Sequence, residues 1–111
     1  MLKLKDNQWV SIGNVAITVL NINKTLSGRL SRILPIVADK TLKIRTQFQS
    51  EIQEAIKEEG DSADIAEIEK RVSESFSKGE TEIDLPELKA EWFDDVVFLQ
   101  GHYQFFTPLF T

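Results

Sequence analysis

The chain contains no cysteine, only one histidine and only one methionine among its 111 residues. Without cysteine there are no disulfides, no thiolate metal sites and no cysteine nucleophile, and this usage is typical of a cytoplasmic protein. Transition-metal sites need several nitrogen or sulfur ligands, which a single histidine does not supply. We therefore predict a cytoplasmic protein with no metal ion and no other cofactor.

Long apolar runs and catalytic motifs are also missing. No apolar run approaches the ~18–20 residues of a membrane-spanning helix, and the start MLKLKDNQWV lacks the apolar run of a signal peptide. The phosphate-binding patterns GxxxxGK[ST] and GxGxxG and the nucleophile elbow GxSxG do not occur. His102 is surrounded by aromatic residues and has no evident partner that would position it as a general base. These absences predict a non-enzymatic protein that does not enter a membrane.

Charge is distributed unevenly along the chain. Residues 1–50 carry eight Lys/Arg and two Asp/Glu, a net charge of +6, whereas residues 51–95 carry five Lys/Arg and sixteen Asp/Glu, a net charge of −11. Either the two segments lie side by side and complement each other, or the second one presents an acidic face to a basic partner. In the second case the predicted contact residues are Glu58, Glu59, Asp64, Glu67 and Glu74.

The first half of the chain predicts a strand followed by a helix. Leu2-Lys3-Leu4-Lys5 alternates apolar and charged residues, the pattern of a strand with one buried face. Asp6 or Asn7 can cap a following helix. The β-branched run VAITVL leaves a strand open as the alternative for that segment. The apolar residues at helical spacing are Trp9, Ile12, Ala16, Val19, Leu20 and Leu26.

The middle of the chain predicts two antiparallel helices. Pro35 cannot donate a backbone N–H, so we expect RLSRIL to be a short connector and a long helix to run from Pro35 to a C-cap at Gly60. A second helix is capped by Asp61 or Ser62 and ends at Gly79, and the short connection favours antiparallel packing. The apolar stripe of the first helix is Val37, Thr41, Ile44, Phe48, Ile52 and Ala55–Ile56, and that of the second is Ile65, Ile68, Val72 and Phe76.

A second strand is predicted at Thr81-Glu82-Ile83-Asp84-Leu85, where apolar and polar residues alternate again before Pro86. The first strand is its natural partner, with the direction of pairing left open. The predicted fold class is α+β and mostly helical, in a single domain over residues 1–111. An antiparallel helical pair packs with a small two-stranded sheet and an apolar C-terminal segment.

Aromatic residues concentrate near the end of the chain: seven of ten lie between Trp92 and Phe110. At roughly 150–250 Å² each, they could bury about 1,000–1,750 Å², far more than a soluble monomer normally exposes in one patch. Part of this segment must therefore belong to the core. Two alternatives remain for the rest: it is also buried in the core, or it forms an interface. The residues predicted to close over the helical pair are Trp92, Val96, Val97, Leu99 and either Phe105 or Phe106. The residues predicted to contact a partner or a second copy are Tyr103, Phe110 and the other phenylalanine of that pair, with His102 at the rim.

Two further features are weak as sites. The acidic residues around Gly60 lack the alternating spacing of a calcium-binding loop, and Asp94–Asp95 is only a pair of adjacent carboxylates. The basic residues before position 45 have no aromatic residues between them and belong to a chain of pI ≈ 4.9, so direct nucleic-acid binding is not expected. They would form one stripe only in an unbroken helix: Arg29, Arg32, Lys40 and Lys43.

The order of these features resembles a family of small bacteriophage proteins of unknown function from phages of Gram-positive bacteria. The strand LKLKDNQ leads into a helix, L-x-x-x-L-P follows at Leu30 to Pro35, a charged helix ends in EEG, ETEIDLPEL supplies a strand, and T-P-L-F stands near the end. Proteins of that family finish in L-x-P-L-[IF], with an aliphatic ending where this chain is rich in phenylalanine. The resemblance implies a phage or prophage product acting in the bacterial cytoplasm, and it transfers no catalytic residue.

The function predicted from the sequence is therefore binding of another protein. The first hypothesis is an inhibitor or modulator of a host enzyme or defence system, which needs a surface but no reaction centre. The alternative is a virion-assembly or self-associating accessory protein.

Overall fold

The computed structural model describes residues 2–23, 28–86, 88–93, 96 and 102–110. Over these residues the chain is α+β and mostly helical, as predicted. The elements are β1 (Leu2–Lys5), α1 (Asp6–Ile22), α2 (Gly28–Lys40), α3 (Leu42–Glu59), α4 (Ile65–Phe76) and β2 (Glu80–Ile83), with 3₁₀ turns at Gly60–Ser62, Ala90–Phe93 and Tyr103–Leu109. The predictions for Leu26, Asp94–Asp95, Val97 and Leu99 lie outside the described residues.

The two strands pair with each other, as the alternating patterns predicted, and they do so antiparallel. Leu2 faces Ile83 and Lys5 faces Glu80 across the ladder. Alternation places the apolar side chains of both strands on one face, which packs against the core. The sheet is tied to α1 because the Trp9 indole Nε1–H donates to the Thr81 carbonyl oxygen at 2.8 Å.

The segment from Asp6 to Ile22 is a helix, so the strand alternative for VAITVL is wrong. The predicted cap is wrong too, because α1 begins directly after β1 and the residue before it is Lys5. The Lys5 N–H donates to Gln8 Oε1 at 3.0 Å, while the Asp6 carboxylate accepts from the Thr81 hydroxyl at 2.5 Å. Asn7, the other expected cap, has no hydrogen-bond partner for its side-chain Oδ1 among the described residues.

The main core forms around α1 and not around the predicted helical pair. Helix α1 is buried on more than one face, so it needs cover on several sides, whereas α3 and α4 each carry one narrow apolar stripe. The C-terminal segment supplies part of that cover, and the prediction that it closes over the helical pair is therefore wrong. The buried cluster is Trp9, Ile12, Val15, Ala16, Val19, Leu30, Leu34, Val37, Ile83, Leu88, Phe93, Phe106 and Leu109.

Helix α2 runs through Pro35, contrary to the predicted break. Pro35 and Ser31, the residue whose carbonyl loses its usual N–H partner, are both exposed, so water can reach that side of the helix. The change of direction comes at Thr41, which is fully buried and separates α2 from α3. Its hydroxyl donates to the Val37 carbonyl oxygen at 2.9 Å, and hydroxyl bonding to the preceding turn bends helices.

Helices α3 and α4 form an antiparallel hairpin, as predicted. Gly60 ends α3 with a φ of 63°, a left-handed conformation that glycine adopts without strain. The expected cap at Asp61 or Ser62 is wrong, because those residues lie in the 3₁₀ turn and Asp64 caps α4. Helix α4 ends at Phe76, three residues before the predicted Gly79. Phe48 and Phe76 meet edge to face at the base of the hairpin, with ring centroids 5.2 Å apart.

Gly13 marks the closest approach of α1 to the bend between α2 and α3. A Cβ at this position would overlap the hydroxyl of buried Thr41 and lie 2.6 Å from Arg45 Nε. We expect Gly13→Ala to destabilise the fold by about 1–2 kcal/mol, because overpacking outweighs alanine's better helix propensity. Urea unfolding followed by circular dichroism measures this change.

The matched control is Gly28→Ala. Among the described residues, a Cβ there would meet Arg32 Nη2 alone, at an ordinary contact distance of 3.9 Å. Its free energy of unfolding should stay level or rise by up to about 1 kcal/mol. Equal stabilisation by both substitutions would contradict the close helix crossing at Gly13.

Candidate partner-binding surfaces

The most charged surface of the described chain lies on α3 and α4. We call residues 51–76 the acidic hairpin: they carry nine Asp/Glu and three Lys/Arg, a net charge of −6. None of them belongs to the main core, and the hairpin buries Ile52 and Ile68 in a small contact of its own. The molecule is correspondingly elongated, with extents of 45 × 28 × 20 Å and a radius of gyration of 15.2 Å, where about 13 Å is expected for this length.

A groove of about 270 Å³ runs between the two helices of the acidic hairpin. Glu51, Glu54 and Glu58 line it from α3, since their spacing of three and four residues places them on one side of that helix. From α4 the half-buried Val72 lines it above the buried Ile68, together with Arg71, whose guanidinium bonds Glu59. The groove therefore combines a small apolar lining with a row of carboxylates and one cation that has a partner within the hairpin. Sequence reasoning missed Glu51 and Glu54, although their spacing to Glu58 was a usable signal.

The structure assigns different roles to the acidic residues predicted as contacts. Glu58 lines the groove, and Glu67 and Glu74 are exposed on α4. Glu59 is held by Arg71 at 2.7 Å, and this hydrogen bond, together with the attraction of the two charges, raises the pKa of Arg71. Asp64 Oδ1 accepts from the Glu67 N–H at 3.3 Å and caps α4. Glu59 and Asp64 thus stabilise the hairpin itself.

Among the described residues, a single ion pair joins the basic first half of the chain to the acidic second half. Within the described ranges the salt bridges are Arg71–Glu59, inside the hairpin, and Lys3–Glu80 at 3.5 Å across the sheet. Only the second joins the two halves of the chain. The carboxylates that line the groove have no salt-bridge partner in the described part of the chain, so they are available to an external cation.

Helix α2 carries the basic residues on an exposed face. Because Pro35 does not interrupt the helix, Arg29, Arg32 and Lys40 share α2, whereas Lys43 lies in α3, so the four-residue stripe is broken at Thr41 and not at Pro35. Two of these cations have partners within the fold. The Arg29 guanidinium lies 5.1 Å from the centre of the Trp92 ring, and Lys40 Nζ donates to the Asp84 carbonyl oxygen.

Most of the described aromatic residues of the C-terminal segment pack against the core. Phe106 is the fully buried member of the phenylalanine pair and stacks on Phe93 at 5.3 Å, so it offers no surface to a partner. Phe110, predicted to reach a partner, is half-buried, pairs with Leu88 through a parallel bridge and lies 5.4 Å from Phe93. Tyr103 keeps 40% of its surface exposed.

Two residues of this segment remain at the surface boundary. Phe105 is half-buried and borders a cleft beside α1. His102 is also half-buried, with its ring centre 6.3 Å from that of Phe105. The predicted interface at the end of the chain is thus reduced to Tyr103, Phe105, His102 and the outer edge of Phe110.

The described residues offer no group of three or more His, Asp or Glu side chains that could hold a metal ion. None of the described helices is both long enough and apolar enough to cross a membrane.

Comparisons with protein-family models, with curated proteins and with solved structures give no match.

Proposed function

We propose that the protein binds a basic partner protein through its acidic hairpin and has no catalytic activity of its own. The observation that carries this proposal is the groove of the hairpin, where Glu51, Glu54 and Glu58 stand without a salt-bridge partner among the described residues. Three carboxylates on one helix side repel each other, and a cationic partner relieves that repulsion.

The lining of the groove supports a protein partner. The half-buried Ala55 and Val72 provide apolar surface beside the carboxylates. A lysine or arginine side chain has an apolar stem and a charged end, so it matches such a surface in both respects. A basic amphipathic helix laid along the groove would present several of these side chains at once.

The biological setting is part of the same proposal. The resemblance to small phage proteins favours a phage or prophage product in the cytoplasm of a bacterial host. There the partner would be a host enzyme or a component of a defence system, which the protein inhibits or modulates by covering its basic surface. Such a role needs surface complementarity and no reaction centre.

Charge reversal of the groove tests the proposal. The wild type should capture its partner from a Gram-positive host lysate. The variant Glu51→Lys, Glu54→Lys, Glu58→Lys should capture at least about 90% less of that partner. Each reversed side chain replaces an attraction by a repulsion at the rim of the interface. Quantitative mass spectrometry of the captured fraction is the measurement.

The matched control reverses three exposed acids outside the acidic hairpin: Asp39, Glu82 and Glu91. It changes the net charge by the same amount and should capture the same partner at the wild-type level. If both variants lost the partner equally, overall charge and not the groove would determine binding. If both captured the partner at the wild-type level, the groove would be excluded as the binding surface.

Self-association, as in a virion-assembly or accessory protein, is the second candidate. One observation favours it: residues 28–45 carry five Lys/Arg and one Asp/Glu, a net charge of +4, on the same molecule as the acidic hairpin. The basic face of one copy could therefore meet the hairpin of another. Light scattering on the pure protein separates the candidates, since a monomer at low salt supports the first and a salt-sensitive oligomer supports the second.

A further inference from the structure

A second cleft, of about 290 Å³, lies where α1, α4 and the C-terminal 3₁₀ turn meet. Among the described residues it has no charged side chain in its lining. Its lining combines the carboxamides of Asn7, Gln8 and Gln104 and the hydroxyls of Ser11 and Ser73 with an apolar part made by Ile12, Phe105 and Pro108. The acidic hairpin's groove lies elsewhere and shares none of these residues.

A buried acceptor without a hydrogen-bond partner among the described residues belongs to this cleft: it is Asn7 Oδ1, on a residue that lines the cleft. The other buried side-chain atom in this condition is His102 Nδ1, which lies outside the lining, with its ring centre 6.3 Å from that of Phe105. Buried polar groups in folded proteins are normally paired, so an unpaired acceptor at a cleft indicates a missing donor.

Asn7 has no structural task that would explain its orientation. It stands where the sequence predicts a helix cap, yet α1 begins one residue earlier, directly after Lys5, so Asn7 lies inside the helix and its Oδ1 bonds no first-turn N–H. The Asn7 residue as a whole is only half-buried, so a turn of its side chain brings the amide to the cleft. Its Oδ1 can then accept from an N–H group and its Nδ2 can donate.

We propose that this cleft binds a nucleobase with an amino group, as the free base or its nucleoside. A flat base stacks on the Phe105 ring, and a carboxamide such as that of Asn7 matches the paired acceptor and donor on the edge of adenine. The uncharged lining gives no partner for a phosphate, so the ligand is a nucleoside and not a nucleotide chain. This site is independent of the acidic hairpin and of its proposed partner.

Titration with adenosine, followed by NMR of the full chain, tests the proposal. The amide signals of Ser11, Ser73 and Gln104 should shift and saturate, with a dissociation constant of about 1 mM or tighter. Uridine, which lacks the amino group, should bind at least about threefold more weakly, and adenosine 5′-monophosphate should bind no more tightly than adenosine. Ribose should cause no shift.

Asn7→Leu removes the unpaired acceptor and keeps the side-chain size. It should weaken adenosine binding at least about tenfold while the midpoint of thermal unfolding stays level or rises, because an unpaired buried group is lost. The matched control Asn14→Leu, on an exposed position of the same helix, should bind as the wild type does. Phe105→Leu provides a second test and should also weaken binding.

Several results would overturn the proposal. They are the absence of saturable shifts with adenosine, equal shifts with ribose, and unchanged adenosine binding by both Asn7→Leu and Phe105→Leu. Binding of an uncharged blocked dipeptide in place of adenosine would also overturn it and would assign the cleft to a peptide main chain.

Discussion

Phe106→Ala should destabilise the protein by about 3–5 kcal/mol. Phe106 is completely buried and stacks on Phe93 at 5.3 Å, in the cluster that covers α1 and α2. Truncating the ring removes its burial and leaves a cavity that the neighbouring side chains fill only partly. Since a domain of this size is stable by about 5–15 kcal/mol, a large part of the total is lost. Urea unfolding of wild type and variant gives the difference.

Two comparisons sharpen this prediction. Phe106→Leu keeps most of the volume and should cost less than about 1.5 kcal/mol. Gln104→Ala, at an exposed neighbouring position, should stay within about 0.5 kcal/mol of the wild type. A loss below about 1 kcal/mol for Phe106→Ala would mean that the C-terminal turn is not part of the core.

Removal of residues 102–111 should leave a chain that no longer folds cooperatively. The deletion takes Phe106 and Leu109 out of the core, and each buried side chain of this size contributes about 2–5 kcal/mol. It also uncovers Phe93, whose ring stacks on that of Phe106. Far-UV circular dichroism during heating should show a broad, non-cooperative loss of signal.

The control for this deletion is Tyr103→Ser in the full chain. Tyr103 is the most exposed of the aromatic residues in the C-terminal turn, so its replacement should preserve a cooperative transition. A shortened protein that is soluble, unfolds cooperatively and has merely lost its partner would show that the segment is an interface and not core.

The sequence predicted those parts of the fold that depend on local patterns. The alternation in Leu2–Lys5 and around Ile83 predicted the two strands and their pairing. Gly60 predicted the end of α3 because the backbone there is left-handed, a conformation that glycine adopts without strain. The residue type alone therefore indicated where the helix ends. The apolar stripe through Phe48 and Ile52 predicted which side of α3 faces α4.

The errors come from tertiary effects that override local preference. Proline is unfavourable in the interior of a helix, but Pro35 lies on an exposed face, where its missing N–H costs little. The free energy gained by burying Leu34 and Val37 in the core exceeds that cost. At the bend, the buried Thr41 hydroxyl donates to the Val37 carbonyl oxygen. The spacing of residues in the sequence does not reveal that Thr41 is buried, so the bend could not be predicted. The β-branched run in α1 is helical because the core surrounds it.

The candidate site was predicted in its charge and not in its detail. The net charge of −11 over residues 51–95 indicated an acidic surface, but the structure decides which carboxylates are engaged. Glu59 and Asp64 have partners inside the hairpin, whereas Glu51, Glu54 and Glu58 line its groove. Ion pairs and caps depend on which side chains the fold brings together.

The most direct measurement of the central claim is the association rate of the protein with its captured partner as a function of salt. If the acidic hairpin docks a basic surface, the rate should fall at least about tenfold between low salt and 0.5 M salt, because screening weakens electrostatic steering. The groove variant carrying Glu51→Lys, Glu54→Lys and Glu58→Lys should associate slowly at every salt concentration. An association rate independent of salt, and the same for the wild type and the groove variant, would contradict the account.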